Sequence, residues 1–269
     1  MFRFHGIWEN KILDLDTVDF EKEDRVREFG RYIGLKRRCF MKGKLIIIES
    51  GSDASGKATQ TEKLYKRLMQ ENCRVKKIGF PNYESDSSAL IKMYLSGDFG
   101  KNPEDVSPYV ASTFYAADRF ASYKTDWAQV YNEGFIILAD RYTTSNMVHQ
   151  AAKIKERKEK DLFLEWLLNF EFNIYKLPEP DCVLFLDMPP EYSKMLMEGR
   201  ANKFTGEQKK DIHEINERYL EESYNNSLYI AKKYGWIMID CVKDGVLRTI
   251  DEIHESVYRA VKEAITDPV

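Results

Sequence analysis

Gly51-Ser52-Asp53-Ala54-Ser55-Gly56-Lys57-Ala58-Thr59-Gln60 is the stretch that decides the fold of this chain. The apolar run Leu45-Ile46-Ile47-Ile48 precedes it, and a helix-like stretch from Thr61 to Leu68 comes after it. The order is strand, glycine loop, helix. A glycine, four residues and then Gly-Lys turn successive backbone N–H groups into one concavity at a helix N-terminus, where the dipole also favours anions. Lys57 then reaches the outer phosphates of a nucleotide. One position departs from the usual pattern. The residue after the lysine is ordinarily Ser or Thr, whose hydroxyl binds Mg²⁺. Here it is Ala58, with Thr59 one place late.

Working outward, short apolar runs recur at Lys44–Glu49, Val75–Phe80, Phe135–Asp140, Cys182–Asp187 and Trp236–Asp240, most of them followed by helix-like sequence. Continuous apolar runs alternating with helices predict parallel strands buried on both faces, a doubly wound sheet. Ligands of such sheets bind at the carboxyl ends of the strands. All of these runs except Val75–Phe80 end in a carboxylate, so the chemistry is expected at that end.

The chain has 269 residues, enough for one α/β domain with something extra, and its 43% hydrophobic content supports a sizeable core. A net charge of −3 argues against a general nucleic-acid or membrane-surface binder. Cys39, Cys73, Cys182 and Cys241 show no CxxC spacing, and they read as reduced thiols of a cytosolic protein. The histidines are scattered and suggest no metal cluster. No run approaches the ~18 apolar residues of a membrane span. The N-terminus lacks the basic-then-apolar order of a signal peptide.

Residues 1–40 carry dense mixed charge, as in Asp19 to Glu28, and no strand of the sheet. Two readings stay open for them: a short accessory helix, or a poorly ordered extension ahead of a domain that begins at Met41. The segment 189–235 opens with Pro189-Pro190 and carries Arg200, Lys203, Lys209, Lys210 and Arg218. A basic excursion beside a phosphate loop reads as a lid, and a solvated helical hairpin is the alternative.

Two further motifs bear on chemistry. The third run ends in Asp140-Arg141-Tyr142. A carboxylate there can hold Mg²⁺ through water or orient an acceptor oxygen, and the adjacent arginine offers a planar fork for phosphate. Upstream, Tyr115 and Arg119 stand four residues apart on an expected helix and share a face. A flat ring and a guanidinium suit stacking on a base and hydrogen bonding to it. An aromatic at helical spacing is equally what a core needs.

The glycine loop, Phe80-Pro81, Ala116-Ala117-Asp118-Arg119, Asp140-Arg141-Tyr142 with Ser145 and Gln150, and Pro180-Asp181 leading to Phe185-Leu186-Asp187-Met188-Pro189-Pro190 occur in this order. Together they resemble the thymidylate kinases, nucleoside monophosphate kinases, over about residues 41 to 265. The resemblance implies a three-layer α/β P-loop kinase fold: a five-stranded parallel sheet with helices on both faces and a small helical lid at about 195–212. It implies ATP and Mg²⁺, dTMP as acceptor, a cytoplasmic homodimer, and no nucleic-acid or membrane partner. By position, Gly51, Ser52, Asp53, Ala54, Ser55, Gly56, Lys57, Ala58 and Thr59 would hold the phosphates of ATP, with Asp53 also facing the acceptor. Phe80 and Tyr83 would line the acceptor site. Tyr115 would stack on thymine, and Arg119 would contact base or phosphate. Asp140 and Arg141 would organise the acceptor phosphate and, through water, the metal. Ser145, His149 and Gln150 would line the deoxyribose and base, with His149 where the family usually has tyrosine. Arg200 would supply the transition-state cation from the lid.

Two departures open alternatives. The family usually places an arginine after Phe-Pro, where this chain has Asn82-Tyr83, and Ala58 removes the metal hydroxyl. The alternatives are a kinase for another deoxynucleotide or for a deoxynucleoside, the latter having no acceptor phosphate and so no need of that arginine, or a weakly active nucleotide-binding protein, which Ala58 favours slightly.

Overall fold

The structure is a computed structural model that describes residues 5–8, 11–14, 42–52, 54–197 and 217–266. The chain falls into two units, Met1–Met41 and Lys42–Val269. In the first unit, β1 (His5–Trp8) and β2 (Lys11–Asp14) pair antiparallel, with Ile7 opposite Ile12. The described residues of that unit form a strand pair and no helix.

The second unit is built on β3 (Lys44–Glu49), β4 (Val75–Gly79), β5 (Ile136–Asp140), β6 (Cys182–Asp187) and β7 (Ile237–Asp240). All neighbours are parallel, in the order β4-β5-β3-β6-β7. Each expected strand is present. The central one, β3, has Leu45 to Ile48 fully buried, as a strand covered on both faces requires. Its side chains alternate. Ile46 and Ile48 pack with Leu64 and Leu68 of helix α1 (Lys57–Gln70) and with Ile253, Val257 and Val261 of a C-terminal helix. Leu64 and Leu68 share a face because they are four residues apart. Burying each such side chain fully stabilises the fold by about 1.5–3 kcal/mol.

On the opposite face, Leu45, Ile47, Ile137 and Ala139 pack on Trp127, Tyr131 and Tyr142. The other helices of eight or more residues among the described residues are α2 (Ala89–Ser96), α3 (Pro108–Ser122), α4 (Arg157–Leu168), α5 (Pro190–Met197), α6 (Glu217–Lys233) and α7 (Ile250–Thr266). Phe185 of β6 meets Phe163, Leu164 and Leu167 of α4 and Ile230 and Ala231 of α6. The result is a three-layer α/β arrangement with helices on both faces of one parallel sheet. No helix among the described residues is long and apolar enough to cross a membrane.

Register gathers the carboxylates. Asp140 lies opposite Ile48 and Gly79, and Asp187 lies opposite Asp240. The strand ends, the loop from Ser50 to Lys57 and the start of α1 therefore share one edge of the sheet.

Candidate active site

The glycine loop takes its shape from two different demands. At Gly56 the backbone is left-handed, with φ of 87°, and this residue caps α1. Only glycine adopts that conformation without strain. At Gly51 the demand is space: an added Cβ would stand 2.2 Å from Ser227 Oγ and 3.0 Å from Tyr224 Cα on α6. Ala54 is also left-handed, with φ of 56°. Alternation of this kind makes a nest of N–H groups for an anion.

Lys57 opens α1 and is 5% exposed. Its Nζ donates to Ser52 O at 2.7 Å, Ser50 Oγ at 2.8 Å and Ser55 Oγ at 3.2 Å. The ammonium is thus held over its own loop by oxygen acceptors. Ala58 and Thr59 are exposed on the first turn of α1. Asp53 and Arg200 lie outside the described residues, as does most of the expected lid at 195–212.

A buried carboxylate joins this loop to the next segment. Glu49 is fully buried at the end of β3. It accepts bonds from Ser50 N at 3.0 Å, Thr144 Oγ1 at 2.8 Å and Ser145 Oγ at 2.6 Å, and lies 3.7 Å from Arg141 Nη1. Arg141 has a left-handed backbone, with φ of 70°. A non-glycine residue in that region costs about 1–3 kcal/mol and is characteristic of functional sites. Its Nη1 donates to His149 Nε2 at 3.0 Å and to Ser145 Oγ at 3.5 Å. An arginine can only donate, so His149 accepts through an unprotonated Nε2. Asp140 is half-buried at the tip of β5, and its carbonyl accepts from Phe80 N at 3.0 Å.

Two of the expected site residues lie in buried settings. Arg119 is 1% exposed, and three of its five N–H groups donate to protein oxygens. Its Nε and Nη2 meet the two oxygens of Glu171 at 2.6 and 2.5 Å, and Nη1 donates to Tyr142 O at 3.3 Å. Thr143 Oγ1 donates to the same carboxylate at 2.6 Å. As placed, Arg119 ties α3 to Glu171 and to the turn after β5. Phe80 is also core: it is 6% exposed and packs against Tyr142 at 5.9 Å between centroids. An apolar ring beside a buried ring gains more from that contact than from a partly wet cleft.

Of the other expected acceptor residues, two share a cluster. Tyr83 and Tyr115 pack on one cluster with Tyr94 and Val106. Asp118, fully buried, accepts Asn82 N at 2.8 Å and Ser87 Oγ at 2.5 Å, which pins the turn bearing Tyr83 to α3. Asn146 Nδ2 donates to Ser112 O at 3.4 Å, which pins the turn bearing His149 and Gln150 to the same helix. Gln150 is 1% exposed, and its Oε1 finds no hydrogen-bond partner among the described residues. Helix α6 closes the arrangement: Tyr219 Oη donates to His149 O at 2.9 Å, and Tyr224 Oη donates to Asp187 Oδ1 at 2.8 Å. Burial raises the pKa of Asp187, the Tyr224 bond opposes that rise, and neighbouring Asp240 adds to it.

Glu49, Asp118 and Glu171 went unassigned in the sequence. Glu49 carried a signal, as one of the carboxylates ending the apolar runs. Asp118 lay within a quoted motif without a role. Glu171, in Asn169-Phe170-Glu171-Phe172, carried none. Chemically, these residues offer an anion nest with a lysine, an arginine held by Glu49 and His149, a carboxylate at a strand end, and a buried amide oxygen on Gln150 with no partner among the described residues.

The thymidylate kinase family model matches residues 48–234. The chain is 27% identical to the thymidylate kinase of Plasmodium falciparum over 228 residues, 84% of this chain and 93% of that protein. It is 25% identical to the human thymidylate kinase over 230 residues, 83% of this chain and 92% of that protein. A solved thymidylate kinase structure from Candida albicans superposes with a TM-score of 0.59 at 23% identity, covering 82% of this chain and 92% of that one. With the phosphate loop, the strained Arg141 and the parallel sheet in place, the chain belongs to the thymidylate kinase family.

Proposed function

We infer that the protein transfers the γ-phosphoryl group of ATP to dTMP, giving ADP and dTDP. The observation that carries this reading is the Glu49 bridge, which couples the phosphate loop to Arg141 within a chain of this family. Phosphoryl transfer asks the protein for positioning and charge neutralisation rather than covalent chemistry. The loop N–H groups hold the donor phosphates. Lys57 exchanges Ser50, Ser52 and Ser55 for phosphate oxygens, an exchange of like acceptors. Arg141, oriented by Glu49 and His149, takes the acceptor phosphate. Tyr115 stacks on the base, while Ser145, His149 and Gln150 line the sugar and base. The segment 195–212 acts as the lid and delivers Arg200. Residues 1–40 are an extension ahead of a kinase domain at 41–269.

Mg²⁺ fits the residues present. It keeps several waters and takes phosphate oxygens with one or two carboxylates, so Asp140 acting through water suffices without a hydroxyl at position 58. When bound, Mg²⁺ neutralises donor phosphate charge. Family resemblance supports a cytoplasmic homodimer.

One observation favours a second reading. Tyr83 stands where the family has a phosphate-binding arginine, which a deoxynucleoside kinase would not need. Coupled measurement of ADP release across nucleosides and their monophosphates separates the two. Faster turnover of thymidine than of dTMP at equal concentration would overturn the monophosphate reading.

A further inference from the structure

We propose that Lys153 is a positioning residue for the base end of the acceptor site, holding Tyr115 in place through Tyr94; this rests on the dTMP reading above. Lys153 comes just after the helical turn that carries His149 and Gln150, and its own N–H bonds Gln150 O at 3.3 Å. The side chain runs away from that turn. Its Nζ donates to Tyr94 Oη at 2.9 Å and to Val106 O at 3.1 Å. Tyr94 is 1% exposed, and its own hydroxyl donates to Pro103 O at 3.4 Å. The Tyr94 ring meets the Tyr115 ring edge-on, with centroids 6.5 Å apart and planes at 90°. One amine therefore ties the sugar-and-base turn to α2, to the segment at 103–106 and, through one ring, to the platform on α3.

The chemistry of the residue supports a specific task. Burial lowers the lysine pKa to about 7, and the charge of Glu104 only partly opposes this. An apolar side chain of similar length would fill the space without that desolvation. What it would lack is direction: two donated bonds fix where Tyr94 sits, and an edge-to-face pair has a preferred geometry that passes the constraint to Tyr115. Neutral and charged amine both donate these bonds, so the link holds on either side of neutrality.

Steady-state kinetics of the full chain with ATP and dTMP test this. Lys153→Met is expected to raise KM for dTMP about tenfold while kcat and KM for ATP stay within about twofold. Tyr94→Phe, which removes one hydroxyl and keeps the ring, is expected to raise the same KM by a smaller factor. The double variant is expected to resemble Lys153→Met alone, because the two side chains act through one bond. An unchanged KM for dTMP in Lys153→Met, an equal rise in KM for ATP, or additive effects in the double variant would each overturn the proposal. If Lys153→Met does not fold, Tyr94→Phe decides, with an unchanged KM for dTMP overturning it. Wild-type protein inert toward dTMP would overturn the functional reading and this proposal together. Active wild type with indifferent variants overturns the proposal alone.

Discussion

From Ser50 to Lys57 the functional groups are held by backbone conformation and by hydroxyls of the same short loop. From Phe80 to Gln150 they are held by buried carboxylates that lie far away in the chain. Glu49 reaches a residue 96 positions on, Glu171 reaches back 52, and Asp118 reaches back 36. The donor side is local, and a change there should remove chemistry while leaving the fold. The acceptor side is a set of tertiary ion and hydrogen-bond networks, so a change there should remove stability as well. A buried ion pair stripped of one partner leaves an uncompensated buried charge, whereas Lys57 stripped of its amine leaves the loop backbone as it is.

The sharpest way to break this contrast is Lys57→Ala. Turnover is expected to fall by several kcal/mol of transition-state stabilisation, with thermal stability nearly unchanged. Retention of more than about a tenth of wild-type turnover would break the donor-side assignment. Next comes Glu171→Leu, which leaves Arg119 buried and unpaired and should cost about 3–5 kcal/mol in urea unfolding. Adding Arg119→Met should recover most of it. A loss below about 1 kcal/mol in the single variant would show that the pair does not hold the acceptor wall together. The smallest effect expected is from Tyr83→Arg, which restores a charge-assisted donor and should tighten dTMP binding about three- to tenfold. Isothermal titration with dTMP measures it, and unchanged or weaker binding would mean that Tyr83 does not face the acceptor phosphate.

The same contrast explains what could be read in advance. The loop announces itself because its residues are contiguous and each has a backbone reason for being there. The inner strands announce themselves because both faces are covered: the runs at Lys44–Glu49 and Cys182–Asp187 coincide with β3 and β6 residue for residue. For Arg119, spacing places it on a face of α3 but cannot say that Glu171 waits on that face. For Phe80, an apolar ring after a strand suits a ligand and a core equally. Glu171 sits between two phenylalanines in what reads as core-facing helix, and nothing local marks a carboxylate whose partner lies 52 residues away.

Helix α6 touches both sides. Tyr219 bonds the carbonyl of His149, Asn226 bonds those of Met147 and Val148 at 2.9 and 2.6 Å, and Ser227 abuts Gly51. From Tyr219 to Ser227 the helix rises about 12 Å, and over that length it holds the sugar-and-base turn at Tyr219 and Asn226 and the phosphate loop at Ser227. A helix is a graduated ruler: its length changes only by whole residues, and each added residue rotates the rest of the helix by about 100°. The donor-to-acceptor gap therefore has no fine adjustment along α6. One inserted residue would carry Ser227 off Gly51 and Asn226 off its carbonyls at once, so insertions between these anchors should be far less tolerated than substitutions on the outward face of the same helix.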